Sequence, residues 1–522
     1  METKGKKNFG CRIWMLLLTV TCMLAWLPAD AADEIITSDR TISLNTTWDV
    51  NWSVDNYATV TNDGTINNHS IFNNTSGAKL AGMGMFNNYS GAVLSNSGAF
   101  ENLHFNNYSG AVFSNSGKLE DLYFNNNSGT FNNSGTFELY NLNNSGTLNN
   151  SGTISSSIGV AGSLTNSGAL NNSGGIDIFY GALSNSGTLT NAGGIYFYLA
   201  PLMNKGTFNN TNSGVITPAC GDIHNFSGAI FNNYGRIEID FDAGFNNEGT
   251  FNNYGAININ SEFIYGFNNS ATLINVGTIK INHSGAMSIN SGSITGSGTY
   301  IQTGGTSNNT GSISQTSIEI QSGIFNQQSG SLSATSITNN GTFNFTGGTL
   351  SAEFFNNTGL FQGAGTITTD IFTNTGTLAP GCSPGTLTIK GNYIQTTGSV
   401  LAIELASATS YDILNVTRLV TLGGILKVSL YDDYKPAYGT YFDFLTSEFW
   451  VENEFESIIG AAGYRWSVTY LDLTGSDGII DTARLTANEV PVPAVLWLFA
   501  PGLLGIIRLR NRCKNKLKFF NT

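Results

Sequence analysis

The sequence predicts an all-β chain wound as a right-handed parallel β-solenoid, with coils of about 19–20 residues. The first observation is self-repetition, which decides the fold where it occurs. Phe86-Asn87-Asn88-Tyr89-Ser90-Gly91-Ala92-Val93 returns as Phe105-Asn106-Asn107-Tyr108-Ser109-Gly110-Ala111-Val112, 19 residues on. Phe231-Asn232-Asn233-Tyr234-Gly235 returns as Phe251-Asn252-Asn253-Tyr254-Gly255, 20 residues on. The second observation is period-two alternation, as in Ile237, Ile239 and Phe241 against Glu238 and Asp240, which marks strands with one buried face. The third is composition: Gly, Asn, Ser and Thr at this density disfavour helix. Charged residues make up 11%, against about 25% in ordinary domains, so the surface is polar through amides and hydroxyls.

In chain order, residues 1–31 read as a secretory signal peptide. Lys4, Lys6, Lys7 and Arg12 form a basic start and Ile13 to Leu27 an apolar stretch. Ala29-Asp30-Ala31 supplies the small-x-small pattern that leaves Ala32 as the new N-terminus. Cys22 follows Thr21, which does not fit a lipoprotein cleavage site. Such a leader implies the Sec export machinery and signal peptidase as partners.

Residues 32–375 are the repeats. A unit such as Phe131-Asn132-Asn133-Ser134-Gly135-Thr136 holds one short strand and one corner, and three units make a coil. The apolar residue after Gly-Thr points inward, and Asn and Gly suit corners because they tolerate positive φ. Coils stack about 4.8 Å apart. Aligned Asn side chains can then form hydrogen-bonded ladders, with aligned Phe rings stacked inside. About twenty coils between residues 40 and 450 would make a rod on the order of 100 Å. Near residue 285 Ser, Thr and Gln rise while the period persists, so the same solenoid is expected to continue.

Residues 376–487 change character. Leu378-Ala379-Pro380-Gly381-Cys382-Ser383-Pro384-Gly385 leads into Gly391-Asn392-Tyr393-Ile394 and Tyr411-Asp412-Ile413-Leu414. This stretch, to about residue 450, resembles the C-terminal passenger region of autotransporter-type β-helix proteins, in which such a Pro-Gly-rich element precedes the last coils. No run of alternating ten-residue membrane strands follows. Residues 449–487, with Trp450, Trp466 and Tyr470, are expected to cap the solenoid, as terminal repeats must.

Residues 488–522 hold Val490-Pro491-Val492-Pro493-Ala494, an uncharged 18-residue run from Val490 to Ile507, and a basic tail over 508–518. Eighteen apolar residues suffice for one short membrane span. Arg508, Arg510, Arg512 and Lys514, with Lys516 and Lys518, would stop it with the basic end inside. A plain anchor is one reading. The other is a sorting signal: with Trp497-Leu498 and Gly502-Leu503-Leu504-Gly505, the segment resembles the PEP-CTERM sorting domain of Gram-negative bacteria, although Val492 stands where Glu is usual. That resemblance implies processing by an exosortase-type membrane enzyme near the proline motif. It also implies an exported protein, anchored in the inner membrane in transit and then placed at the cell surface or in the extracellular matrix.

Charge and chemistry narrow the function. Without leader and tail, Lys plus Arg falls from 22 to 12 and Asp plus Glu from 35 to 33, a net charge near −21. Such a surface excludes nucleic acid as a partner. Cys220 and Cys382, 162 positions apart, are either one disulfide or two lone thiols. Paired carboxylates are the mark of polysaccharide-cleaving sites. The candidates are Glu238, Asp240 and Asp242; Asp432 and Asp433; and Glu452, Glu454 and Glu456. The first set alternates along one strand and should face solvent. His69, His104, His224 and His283 are scattered singly, and no nucleophile elbow, phosphate loop or calcium repeat occurs. No catalytic, cofactor or metal residue is therefore assigned. The expectation is a non-enzymatic, adhesin-like surface or matrix protein associated with exopolysaccharide in a biofilm. The alternatives are a polysaccharide-degrading β-helix enzyme and an ice- or surface-binding protein. The last needs Thr-x-Thr columns, and at a 20-residue offset only Thr366-Ile367-Thr368 and Thr386-Leu387-Thr388 align.

Overall fold

A computed structural model describes residues 33–157, 159, 161–261, 266–473, 478–490 and 510. The chain divides into two compact units, Met1–Leu148 and Asn149–Thr522, and each is a parallel β-solenoid.

In the first unit the strands Ile71–Asn74, Lys79–Ala81 and Met85–Asn88 make one coil, and Val93–Asn96, Ala99–Glu101 and His104–Asn107 the next. They pair in parallel, Ile71 with Val93, Lys79 with Ala99 and Met85 with His104. The second unit repeats the plan: Gly175–Phe179, Ala182–Asn185 and Thr188–Asn191 lie on Gly194–Tyr198, Leu202–Asn204 and Thr207–Asn210. The residues that repeat in sequence are the ones that stack, Phe86 on Phe105 and Phe231 on Phe251. Coil length varies more than the repeat suggests. Paired Leu350 and Ile367 are 17 residues apart, Ile71 and Val93 are 22. Extra residues go into the corners or into bulges within the strands, as at Asp121 and between Thr368 and Ile371, where the pairing shifts register.

Alternation along each strand buries one set of side chains completely. Phe86, Phe105 and Phe124 form a column in the bore of the first unit, with ring centroids 5.5 and 4.9 Å apart. Phe208, Phe231 and Phe251 do so in the second, at 4.5 and 5.0 Å. Each such ring contributes roughly 1.5–3 kcal/mol by leaving water. At the N-terminal end of the first unit, Arg40 covers this apolar column. Its guanidinium lies 3.7 Å above the Trp48 ring and donates to Glu34 at 2.6 Å.

The buried strand-end Asn residues form ladders as expected. In the first unit Asn68, Asn88, Asn107, Asn126 and Asn144 each donate Nδ2 to the next, at 2.6–2.9 Å. In the second, Asn166, Asn185, Asn204, Asn225 and Asn247 do the same. The second amide hydrogen goes to a backbone carbonyl, as from Asn107 to Thr130 at 3.0 Å, so nearly every buried polar group is paired. The corner chemistry differs from expectation. Asn in Asn-Ser-Gly corners does not take positive φ; its work is the ladder. The following Gly is needed for close approach, because a Cβ on Gly117 would collide with the carbonyl oxygen of Gly98 in the coil beneath. Positive φ falls instead on Gly91 and Gly110 in the Ser-Gly-Ala corners.

At its far end the second unit leaves the parallel pattern. Thr482–Glu489 runs antiparallel to both Tyr441–Ser447 and Tyr464–Leu471. Arg484 fixes this crossing with two bonds to Asp443, 2.6 and 2.8 Å, and lies over the Tyr441 ring. Among the described residues no helix is long and apolar enough to cross a membrane. The expected span from Val490 to Ile507 lies, after Val490, outside the described residues.

Candidate functional site

A groove of about 470 Å³ in the second unit opens where an outer amide column meets the Pro-Gly-rich loop. Asn326, Asn344 and Gln362 occupy successive outward positions. Each donates one coil back: Asn326 to Asn308 at 2.7 Å, Asn344 to Asn326 at 2.7 Å, Gln362 to Asn344 at 2.8 Å. The column ends at Ala379, which pairs with Gln362 and carries no amide. Beyond it, Pro380 to Ser383 of the loop line the groove together with Ile403, Glu404 and Asp412.

Asp412 is the chemically distinctive group. One carboxylate oxygen accepts from the Gly385 amide at 2.9 Å, the other from the Glu404 amide at 2.9 Å. These bonds tie the loop to the coil above it and favour the charged form, but burial outweighs them and Glu404 adds repulsion. The carboxyl is pushed up to about 6. A carboxyl that titrates near pH 6 beside a second carboxyl group has the chemistry to exchange a proton with a bound glycan oxygen. The sequence pattern holds Asp412 within Tyr411-Asp412-Ile413-Leu414 but does not mark it as a candidate carboxylate. The signal was there: Asp412 lies just before the strand Ile413–Val416, in inward alternation with the buried apolar Leu414 and Val416.

The sequence candidates are placed apart. Glu238 accepts from Asn258 at 2.9 Å, Asn260 at 3.2 Å and Arg236 at 3.1 Å, and Asp240 from Asn260 at 2.9 Å. These carboxylates face outward as expected and terminate amide ladders. Asp432 and Asp433 form an exposed turn with φ of 49° and 56°. Glu452 accepts from the Trp450 indole at 2.9 Å, and Glu456 from the Gly398 amide at 3.4 Å. His69 stacks on Tyr89 and His104 on Tyr123, at 4.6 and 4.7 Å. His224 faces Asp222 at 3.6 Å, which holds the imidazole above its usual range. His283 accepts from the Gly285 amide at 3.1 Å. Among the described residues no three His, Cys, Asp or Glu side chains converge as metal ligands would. Cys220 and Cys382 are both free thiols, Cys382 exposed and lining the groove.

The hydroxyl columns are longer than a fixed offset shows. Thr366 pairs with Thr388, 22 residues on, and Thr368 with Lys390, because this coil is two residues longer than the offset assumed. In the other direction Thr368 lies on Ser351, Ser333, Ser314 and Thr295 in turn. Five successive rungs therefore carry hydroxyls at both outward positions, Ser293/Thr295 through Thr366/Thr368, with Ser312 and Ser331 bonded at 2.8 Å.

Of the signal residues, Ala29, Ala31 and Ala32 lie outside the described part, as do Pro491, Val492, Pro493, Ala494, Arg508, Arg512 and Lys514; Val490 and Arg510 are exposed. No protein-family model matches the chain, and no curated protein shows significant similarity to it.

Proposed function

We propose that the chain is an exported, non-enzymatic, adhesin-like surface or matrix protein whose solenoid engages exopolysaccharide. The observation that carries the reading is the repeating outer surface. Outward amides and hydroxyls recur once per coil at strand spacing, which suits a ligand that also repeats along one axis. The address rests on the sequence at both ends: the Sec-type leader, and a tail resembling a PEP-CTERM signal for an exosortase-type enzyme. Its test is fractionation of Gram-negative cells expressing the full chain or a chain ending at Glu489. The full chain should reach the surface or matrix and the shortened one should not. Identical distributions would refute the sorting part.

The groove favours a second reading, a polysaccharide-degrading enzyme with Asp412 as proton donor and Glu404 as its partner. Release of new reducing ends from acidic or neutral glycans, lost in Asp412→Ala, would establish it. The five-rung hydroxyl strip supports surface or ice binding, which a recrystallisation-inhibition assay would read directly.

A further inference from the structure

In the second unit, the corner after the strands Gly175–Phe179, Gly194–Tyr198, Val215–Ala219 and Arg236–Ile239 takes the left-handed backbone conformation in four successive coils. The residues are Tyr180 (φ 60°), Leu199 (φ 51°), Cys220 (φ 58°) and Phe241 (φ 53°). Bulky side chains rarely adopt this conformation, because Cβ crowds the neighbouring carbonyl. The analogous corners of the first unit use Asn102 and Asp121, which tolerate it. Tyr180, Leu199 and Phe241 are moreover solvent-exposed, so packing against the core does not account for the choice. Persistent strain of this kind points to a surface function.

Beside this corner column the outward strand positions add rings and carboxylates. Tyr198 lies edge-on to Tyr180, centroids 6.0 Å apart, and Phe179 sits 6.0 Å from Tyr196. Asp177 pairs with Tyr196 one coil on. The Asp177 carboxylate is half-buried, and has no hydrogen-bond or ion-pair partner among the described residues. Asp240 precedes Phe241 and Asp242 follows it. The patch is thus two ring pairs one coil apart, Tyr180 with Tyr198 and Phe179 with Tyr196, and Phe241 at the same corner three coils beyond Tyr180, edged by negative charge, with Asp177 lacking a donor among the described residues.

We propose that this ridge binds a cationic amino-sugar polysaccharide, its pyranose faces on Tyr180, Tyr198 and Phe241 and its ammonium groups on Asp177 and Asp242. The proposal deepens the exopolysaccharide reading and rests on it. Aromatic faces take the apolar side of a sugar ring and attract cations. The carboxylates repel an anionic glycan, and a second copy of this acidic chain would meet the same repulsion.

The test is binding of a glucosamine hexasaccharide to the full chain by calorimetry at low and high salt. An N-acetylglucosamine hexasaccharide, an alginate oligomer and a lysine hexapeptide serve as comparators. The glucosamine oligomer should bind at least tenfold more tightly than each comparator and weaken with salt. A Tyr180→Asn/Phe241→Asn variant keeps a residue suited to positive φ, so it should melt no lower than the parent yet bind at least tenfold more weakly; Asp177→Asn should weaken binding less. Equal binding by the lysine peptide would overturn the glycan assignment, and unchanged binding by the folded variants would overturn the ridge. If another glycan of the panel binds and these variants do not alter it, the ridge proposal fails while the exopolysaccharide reading stands. If no glycan binds, both fail.

Discussion

Asn106 and Asn107 are neighbours in one strand, yet their side-chain amides run in opposite directions along the coil stack. Asn107, buried, donates forward to Asn126 at 2.8 Å; Asn106, facing out, donates backward to Asn87 at 2.9 Å. Each direction has an anchor. The inward amide also reaches the Thr130 carbonyl of the following coil, which fixes which way its donor points. The outward column runs back through Asn67 to Asp49, whose side-chain oxygen accepts and ends it. The same pattern runs from Asn282 through Asn260 to Asp240, while Asp55 accepts from the outward Asn73, and Glu238 from Asn258 and Asn260. Several acidic residues of this chain therefore serve as terminators of polarised ladders.

Asn107→Asp should be far more damaging than Asn106→Asp. The inward carboxylate loses its donations to Asn126 and Thr130 and is buried as a charge, at a cost of about 2–4 kcal/mol. The outward one stays solvated, and its effect should remain within about 1 kcal/mol. Urea unfolding of the two variants checks the contrast, and equal losses would contradict it.

Arg40→Ala should loosen the first coil locally. It removes the cation above Trp48 and the bond to Glu34, together worth about 1–2 kcal/mol at a partly exposed site. Amide exchange should rise over Trp48–Val50 and stay unchanged near Phe124.

Asp412 gives the fold a pH signature. Its carboxyl titrates near 6 when folded and near 3.8 when unfolded. Below pH 3.8 both states are protonated, and between the two values unfolding releases the proton. Stability from this group is thus full in acid and is lost as pH rises from about 4 to 6. The expected loss is roughly 2–3 kcal/mol. Melting temperatures from pH 4 to 7 should show this fall in the parent and not in Asp412→Ala.

Phe241→Asn should raise stability by about 1 kcal/mol, by relieving a left-handed conformation that Phe tolerates poorly. A lower melting temperature would show that the ring packs usefully where it lies.

Much of this was legible in the sequence, for a physical reason. In a parallel solenoid like stacks on like, so the repeats of Phe86 at Phe105 and Phe231 at Phe251 are the register itself. The Asn ladders follow from the same alignment. Ladder polarity was not legible, since it depends on carbonyls and carboxylates a whole coil away. The hydroxyl strip was hidden because coils differ in length, so that Thr366 meets Thr388 rather than Thr386. The groove joins Asn326 to Asp412, 86 positions apart, and no local pattern links them. The left-handed corners at Tyr180, Leu199, Cys220 and Phe241 were invisible for the opposite reason: nothing in those residue types signals positive φ.

The most direct test of the account is to mix the purified full chain with a polysaccharide panel, then measure co-sedimentation and new reducing ends in the same samples. Retention of the chain on at least one polysaccharide, with no new ends after prolonged incubation, is the expected result. Release of new ends that disappears in Asp412→Ala would contradict it and make the groove an active site.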